Sequence, residues 1–467
     1  MNFEEYRRHD AVGLAELLAR GEVSAAELRD AAAARMAEVN PKINAVTQDL
    51  TGRAASESAA EGPFAGVPFL LKDLGASLAG VRTTRGSRLY ADAVAEADSA
   101  LVRLFKAAGL SFIGKTNTPE FGLWPVTESE LLGPCRNPWD LSRTSGGSSG
   151  GAAAAVAAGI TPAAHASDGG GSIRIPASCC GLFGMKPSRG RVSFAPAGEG
   201  WAGASINHAV TRSVRDSAAL LDAVCAPQPG DPYFLAPPAR PFAESVRREP
   251  GRLRIAFIRG AVNGAAIDPE CEAAVVETAR LCESLGHDVE EAKVPGDVSA
   301  MQAAAGVVIA ASVAADLDAV AERRGRPIGE GEVEALTMSA YRRGQKVMGA
   351  AYARAIAALH AYGRAVAELF GDYDALLLST LGRPAIPIGW LFETHGQTGE
   401  RLAQFMPNTQ AFNNTGQPAM TVPLAWSSDG LPIGMQFVGR MGDEATLFSL
   451  AAQLERARPW FDRVSPL

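Results

Sequence analysis

The sequence predicts an α/β fold. Helix-like and strand-like segments alternate along the chain, the short apolar runs are bounded by turn residues, and 467 residues suffice to bury a large core. Residues 7–60 predict helices: Leu14, Leu17 and Leu18 recur at helical spacing, and Ser24 precedes a second run through Leu28 and Met36. Residues 64–71 form an apolar run, a hairpin or a buried strand. An amphipathic helix over 99–108 is followed by a strand over 111–114. Pro119, Pro125, Pro134 and Pro138 make 116–151 a loop-rich stretch, and the alanine-rich run 152–158 after Gly150-Gly151 predicts a helix. Further on, 206–225 predicts a helix, 253–258 a strand, 268–372 mostly helices, and 373–379 a strand before a proline-rich loop. Strands over 419–424 and 433–438 are joined through Asp429-Gly430, and a last helix covers 444–456. No internal repeat or low-complexity linker divides the chain, so a single domain over 1–467 is expected, with an N-terminal helical segment about 1–60 and a helical insertion about 268–372.

Charge and composition narrow the function. Net charge is −7, and the short basic pieces Arg323-Arg324 and Arg342-Arg343 are the solvated faces of helices, so no nucleic-acid surface is expected. The N-terminus Met1-Asn2-Phe3-Glu4-Glu5-Tyr6-Arg7-Arg8 is charged and lacks a signal-peptide apolar region. The apolar stretches 303–315 and 150–160 are too short and too rich in alanine to span a bilayer, which predicts a soluble, cytoplasmic protein with no membrane partner. Cys135, Cys179, Cys180, Cys225, Cys271 and Cys282 form no CxxC and suit small core residues. His9, His165, His208, His287, His360 and His395 are scattered, so no metal site is expected.

Three segments carry chemistry. Ser145-Gly146-Gly147-Ser148-Ser149-Gly150-Gly151 and Asp168-Gly169-Gly170-Gly171-Ser172-Ile173-Arg174 place Ser148 and Ser172 24 positions apart, and Lys72 ends the apolar run Pro68-Phe69-Leu70-Leu71. A serine hydroxyl is a weak nucleophile near neutral pH and needs a base, together with donors for the oxyanion that forms. A buried lysine that loses its proton can be that base, and consecutive glycines expose backbone N–H groups. Ser148 precedes a helix N-terminus, where free N–H groups favour negative charge. Asp73 would hold Lys72 charged, but adjacent strand residues face opposite ways. Trp124, Trp139 and Cys135 suit a pocket wall or ordinary loop anchoring equally well. Gly146 to Gly150 also satisfies GxSxG, the pattern of an α/β-hydrolase esterase with Ser148 as nucleophile, yet the preceding Asn137-Pro138-Trp139-Asp140-Leu141-Ser142-Arg143 is poor strand sequence. A phosphate-binding loop would need Lys-Ser/Thr where Ala152 follows Gly151.

With these segments the chain resembles the amidase signature family. The likeness extends over Pro68 to Asp73, Gly114-Lys115-Thr116-Asn117-Thr118-Pro119-Glu120-Phe121, Arg136-Asn137-Pro138-Trp139, both serine segments, Gly181 to Gly190, and Asn413-Asn414-Thr415-Gly416-Gln417-Pro418-Ala419 with Gly430-Leu431-Pro432-Ile433-Gly434. The resemblance implies an α/β/α sandwich around a central mixed β-sheet. It implies an amidase that needs no cofactor and cleaves a small-molecule amide, working as a monomer or homodimer. It makes Ser172 the nucleophile, Ser148 a bridging serine after a cis peptide bond, and Lys72 the base. It gives the oxyanion hole to the backbone N–H groups of Gly169, Gly170, Gly171 and Ser172, and makes Asp168 and Arg174 braces of the nucleophile loop. Two departures stand outside this triad: Gly169 occupies a position where many relatives have Thr or Ile, and Ser145-Gly146 replaces a common Pro-Gly. Cys179-Cys180-Gly181-Leu182-Phe183-Gly184-Met185-Lys186-Pro187 and Gly430 to Glu444 look more like stand-alone bacterial amidases, among them 6-aminohexanoate cyclic-dimer hydrolases, than like the glutaminase subunit of the transfer-RNA-dependent amidotransferase, the rival inside the family.

Overall fold

The computed structural model describes residues 1–56, 61–393 and 396–467, so His395 and the end of the 7–60 stretch lie outside the described residues. Eleven strands form one sheet: β1 (Val46–Asp49), β2 (Pro68–Lys72), β3 (Ser111–Thr116), β4 (Ala163–Asp168), β5 (Phe183–Lys186), β6 (Ile206–Thr211), β7 (Arg254–Phe257), β8 (Asp288–Glu291), β9 (Ala375–Ser379), β10 (Ala419–Trp426) and β11 (Pro432–Gly439). The helices used below are α1 (Ala25–Ile43), α2 (Ala100–Ala107), α3 (Gly150–Ala157), α4 (Arg174–Cys180), α5 (Val214–Val224), α6 (Pro269–Ser284), α7 (Val298–Arg324), α8 (Ala335–Gly344), α9 (Gly349–Asp372), α10 (Gln410–Thr415) and α11 (Glu444–Ala457).

The spatial strand order is β1-β3-β2-β4-β6-β5-β10-β11-β9-β7-β8. β2 runs parallel to both β3 and β4, the stretch from β4 through β9 is antiparallel, and β9, β7 and β8 are parallel again, so the sheet is mixed as expected. Both faces are covered, because successive strand residues enter different cores. Along β9, Ala375 and Leu377 join the core that also holds residues of α4, α6 and α11, whereas Leu376 and Leu378 join the one built with residues of α7, α9 and α10. This is the α/β/α layering, and it explains why β2 and β9 are apolar up to their last residues, Lys72 and Ser379, with every residue buried.

Several elements differ from the sequence expectation. Residues 206–225 divide into β6 and α5. Ile206–Thr211 pairs in full register with Ala163–Asp168, and the helix starts only after Ser213, whose side chain accepts from the Asp216 N–H. β4 is the sequence Ala-Ala-His-Ala-Ser-Asp, which lacks the branched side chains of a typical strand; its position between β2 and β6 overrides its weak propensity. β8, Asp-Val-Glu-Glu, interrupts the predicted helical region as a charged strand at the sheet edge. β1 interrupts the helices of the first sixty residues, and Asp140–Thr144 is a strand after all, paired with Arg136–Asn137 in a small separate ladder. α7 also corrects an expectation. It has 27 residues and a mean hydropathy of 1.8 over its most apolar window, enough by length and composition to cross a membrane. In this fold it lies against α8 and α9 with Met301, Ala304, Ala305, Val308 and Leu317 buried.

Close backbone approach fixes the start of α3. A Cβ on Gly151 would stand 2.3 Å from the Asn117 amide nitrogen and 2.6 Å from the Ala45 carbonyl oxygen. Gly151→Ala should therefore destabilise the protein by about 1–3 kcal/mol, the usual cost of overpacking, despite alanine's better helix propensity. Urea denaturation of the two proteins measures this.

Candidate active site

Because β2 and β4 are parallel neighbours, their carboxyl ends emerge together, a common place for ligand sites in open α/β sheets. Lys72 is the last residue of β2 and Asp168 the last of β4. Lys72 is fully buried, with its Nζ 2.6 Å from Ser148 Oγ and 2.9 Å from Ser167 Oγ. The Gly147–Ser148 peptide is cis. Behind the lysine, its backbone N–H donates to His165 Nδ1 at 3.2 Å, and His165 Nε2 lies 3.3 Å from Asn207 Oδ1. Burial lowers the Lys72 ammonium to about 7, against the opposing pull of the Asp168 carboxylate. Burial, and then the charge of Lys72, bring His165 down to about 3, so its ring is neutral and can accept from the backbone.

Asp73 points elsewhere, as strand alternation requires. Its carboxylate accepts from the Thr84 N–H and hydroxyl and lies 3.7 Å from Lys115 Nζ. It therefore partners Lys115 and leaves Lys72 without an adjacent counter-ion.

The loop from Asp168 to Arg174 is organised by one buried ion pair. Arg174 Nε donates to Asp168 Oδ2 and Nη2 to Asp168 Oδ1, each at 2.9 Å, with both side chains fully buried. Arg174 also donates to the Thr409 carbonyl at 3.0 Å, Gln436 Oε1 at 2.6 Å and Asn413 Oδ1 at 2.5 Å. Asn413 Nδ2 returns a bond to Asp168 Oδ1 at 2.8 Å. Burial alone would raise the Asp168 carboxyl, but the charge and hydrogen bonds of Arg174, aided by Lys186 and Asn413, hold it well below the usual carboxylate range. Asp168 also accepts from the N–H groups of Gly171 at 2.7 Å and Ile173 at 3.1 Å. The Gly171 N–H is thus turned inward to Asp168. That N–H is therefore occupied, whereas among the described residues those of Gly169, Gly170 and Ser172, the rest of the expected donor set, have no protein partner. Gly171 itself adopts φ +134°, and a Cβ there would stand 2.4 Å from Thr409 Oγ1.

Ser172 and Gly170 line a cavity of about 390 Å³ with Gly122, Leu123, Trp124, Ile175, Trp201, Ile309, Leu402 and Met406. Its polar side chains besides Ser172 are Asn263, Gln302 and Gln410, and no lining residue carries a charge. Ser148 lies beneath this wall: a Cβ on Gly122 would come within 3.1 Å of Ser148 Oγ. Among the described residues, Lys72 and Ser148 are joined by a hydrogen bond, whereas Ser172 and Ser148 are not. Trp124 lines the cavity. Trp139 lies elsewhere, donating to the Cys180 carbonyl at 2.9 Å, and Cys135 is a buried core residue. Cys179 and Cys180 are buried behind the Ser145 segment, and burial pushes their thiols up, as small core residues require. Sequence reasoning missed Ser167, His165, Thr409, Asn413 and Gln436 as parts of this site. Ser167 alone had a local signal, a hydroxyl one residue before Asp168.

Comparison with known proteins agrees with this architecture. Residues 27–448 match the family model described as Amidase. The chain is 41% identical over 472 residues to the 6-aminohexanoate-cyclic-dimer hydrolase of Paenarthrobacter ureafaciens, covering 97% of this chain and 96% of that one. The solved structure of a 6-aminohexanoate cyclic dimer hydrolase complexed with substrate superposes with a TM-score of 0.93 at 40% identity, covering 98% of each chain. A bacterial aryl acylamidase of the amidase signature family superposes with a TM-score of 0.86 at 26% identity, covering 97% and 96%. The chain therefore belongs to the amidase family, and it is a hydrolase of amide bonds.

The network around Arg174 makes a stability prediction. Arg174→Met keeps much of the volume but leaves the Asp168 carboxylate buried without its cation. It should cost about 3–5 kcal/mol of stability, the usual result of breaking a buried pair from one side. The shift of the denaturation midpoint in guanidinium chloride checks it.

Proposed function

We propose that Ser172 is the nucleophile of this amidase and that Lys72, acting through Ser148, is its base. Ser172 Oγ attacks the amide carbonyl carbon, passing its proton to Ser148 as Ser148 passes its own to Lys72 Nζ. The carbonyl oxygen becomes an oxyanion facing the free N–H groups of Gly169, Gly170 and Ser172. Collapse breaks the C–N bond, and the proton returns through Ser148 to the leaving amine. Water then attacks acyl-Ser172 by the same relay, releasing the acid. The observation that carries this reading is the 2.6 Å contact between Ser148 and a buried lysine whose proton is held weakly. The Ser148–Ser172 bond is expected to close once substrate fills the cavity, as catalytic hydrogen bonds often do. Base, nucleophile and donors are all groups of the chain, so the scheme needs no cofactor.

We further propose that the substrate is an uncharged amide with apolar flanks: a nylon-type oligoamide such as the 6-aminohexanoate cyclic dimer, or an anilide. The named relatives and the uncharged cavity lining both support this. The uncharged lining also argues against a glutaminase, since a free amino acid brings an ammonium and a carboxylate that this wall cannot pair. We read the enzyme as a cytoplasmic monomer or homodimer with neither nucleic acid nor membrane as partner.

The purified chain alone should hydrolyse such neutral amides and turn over glutamine poorly. A sulfonyl-fluoride or phosphonate probe should label Ser172, and Ser172→Ala and Lys72→Ala should each lower kcat by several orders of magnitude, since the groups act as one unit. Labelling of Ser148 with an active Ser172→Ala would select the esterase reading, and glutamine turnover only with a partner protein would select the amidotransferase subunit.

The pH profile follows from the lysine. The base must be neutral, and its conjugate acid is lowered to about 7, so kcat/KM should climb with pH up to that region and level off above it. His165, near 3, stays neutral across this window and adds no step. Stopped-assay rates between pH 5 and 9 test this; a rate that falls through pH 7 contradicts a lysine base.

A further inference from the structure

The cavity wall holds two side-chain amides that the protein does not use for itself. Gln302 projects from α7 and Gln410 opens α10, and both line the cavity beside Ser172. Among the described residues neither side chain has a hydrogen-bond partner. Asn263, the other amide of the lining, differs: its Nδ2 donates to the Ala403 carbonyl and its Oδ1 accepts from the Ala265 N–H, each at 3.0 Å.

The chain that carries the two glutamines is anchored through their neighbours. Thr409, just before Gln410, donates its hydroxyl to the Gly170 carbonyl at 2.6 Å and accepts Arg174 through its own carbonyl, so Gln410 is fixed relative to the turn that carries Ser172. Met301, just before Gln302, accepts from Asn414 Nδ2 at 2.8 Å. Asn414 lies one turn beyond Gln410 on α10, so the same short helix ties both glutamines to one wall. The rest of the lining is mainly apolar. Gln410 is half-buried and Gln302 is exposed at the cavity's edge. An apolar ligand lying against them would displace part of their water and return nothing, whereas a ligand with its own N–H and C=O at that level would satisfy them.

We propose that Gln302 and Gln410 bind the second amide group of a bis-amide substrate while the first lies at Ser172, so that the enzyme selects oligoamides over mono-amides. This rests on the reading of Ser172 as nucleophile. A carboxamide suits the task because it presents a donor and an acceptor together, matching the C=O and N–H of a secondary amide, and it adds no charge to a neutral substrate.

The test compares the 6-aminohexanoate cyclic dimer with N-hexylhexanamide, which has the same kind of chain but one amide. The measured quantity is the ratio of their kcat/KM values in the wild type, Gln302→Leu, Gln410→Leu and the double variant. Each single variant should lower the ratio about tenfold, through a raised KM for the bis-amide, and the double variant should lower it further. Thermal unfolding of each variant confirms folding. A ratio that does not move, including the case where both substrates lose activity equally, overturns the proposal, as does a wild type that cleaves the mono-amide and leaves the cyclic dimer intact. In either case, mono-amide hydrolysis that vanishes in Ser172→Ala shows that the underlying reading of Ser172 still stands.

Discussion

The site depends on a guanidinium that water does not reach. Arg174 binds the end of β4 through Asp168, the approach to α10 through Thr409, α10 itself through Asn413, and β11 through Gln436. A lysine could not do this, because a single ammonium has no planar fork to span a carboxylate while reaching three other acceptors. Burying such a charge is unfavourable unless every donor finds a partner. The pair is therefore better understood as a device for geometry than as a source of stability. It bends the chain between Asp168 and Arg174 so that Gly170 and Ser172 line the cavity while the Gly171 N–H turns inward.

Two buried lysines show how position decides chemistry. Lys115 lies against Asp73, which supports its charge, and it is lowered only to about 8. Lys72 faces two serine hydroxyls, with Asp168 acting on it only through space, and is lowered to about 7. Strand alternation produces this contrast: Lys72 and Asp73 are neighbours in sequence but serve opposite faces, so the carboxylate that would fix the proposed base in its charged form is kept with another lysine.

The parts of the site legible in the sequence are those where a residue type is required by its immediate surroundings. Gly147, Gly150, Gly151 and Gly171 all sit where a Cβ would overlap backbone or a neighbouring side chain, so the serine segments announce themselves. The ion pair of Asp168 and Arg174 was legible for the same reason, as its members are six positions apart. The rest was hidden by distance or by composition. Thr409, Asn413 and Gln436 come from more than two hundred residues downstream; Asn413 falls in a segment that resembles the family, but nothing local ties any of the three to Asp168 or Arg174. The alanine-rich β4 and the acidic β8 have poor strand propensity and gain their conformation from the ladder. Residues 206–211 were masked by the strong helix that follows them. The predicted apolar stretch within α7 was too short because Val298 to Gln302 before it and the charged segment Asp316 to Arg324 after it are helical too.

The strand order separates two duties of the molecule. The chemical groups arise from β2, the segment before α3, and the turn between β4 and α4, all within the first two hundred residues and locked by glycine contacts that tolerate little change. Much of the cavity's far wall comes from α7, the segment around Leu402 and α10, which pack on the other half of the sheet and contribute single side chains at helical intervals. A change at one of those positions is expected to alter what is admitted without touching the proposed relay beneath. Such an enzyme can acquire new substrates by exchanging a few helix residues, much as a lathe keeps its spindle and changes its chuck.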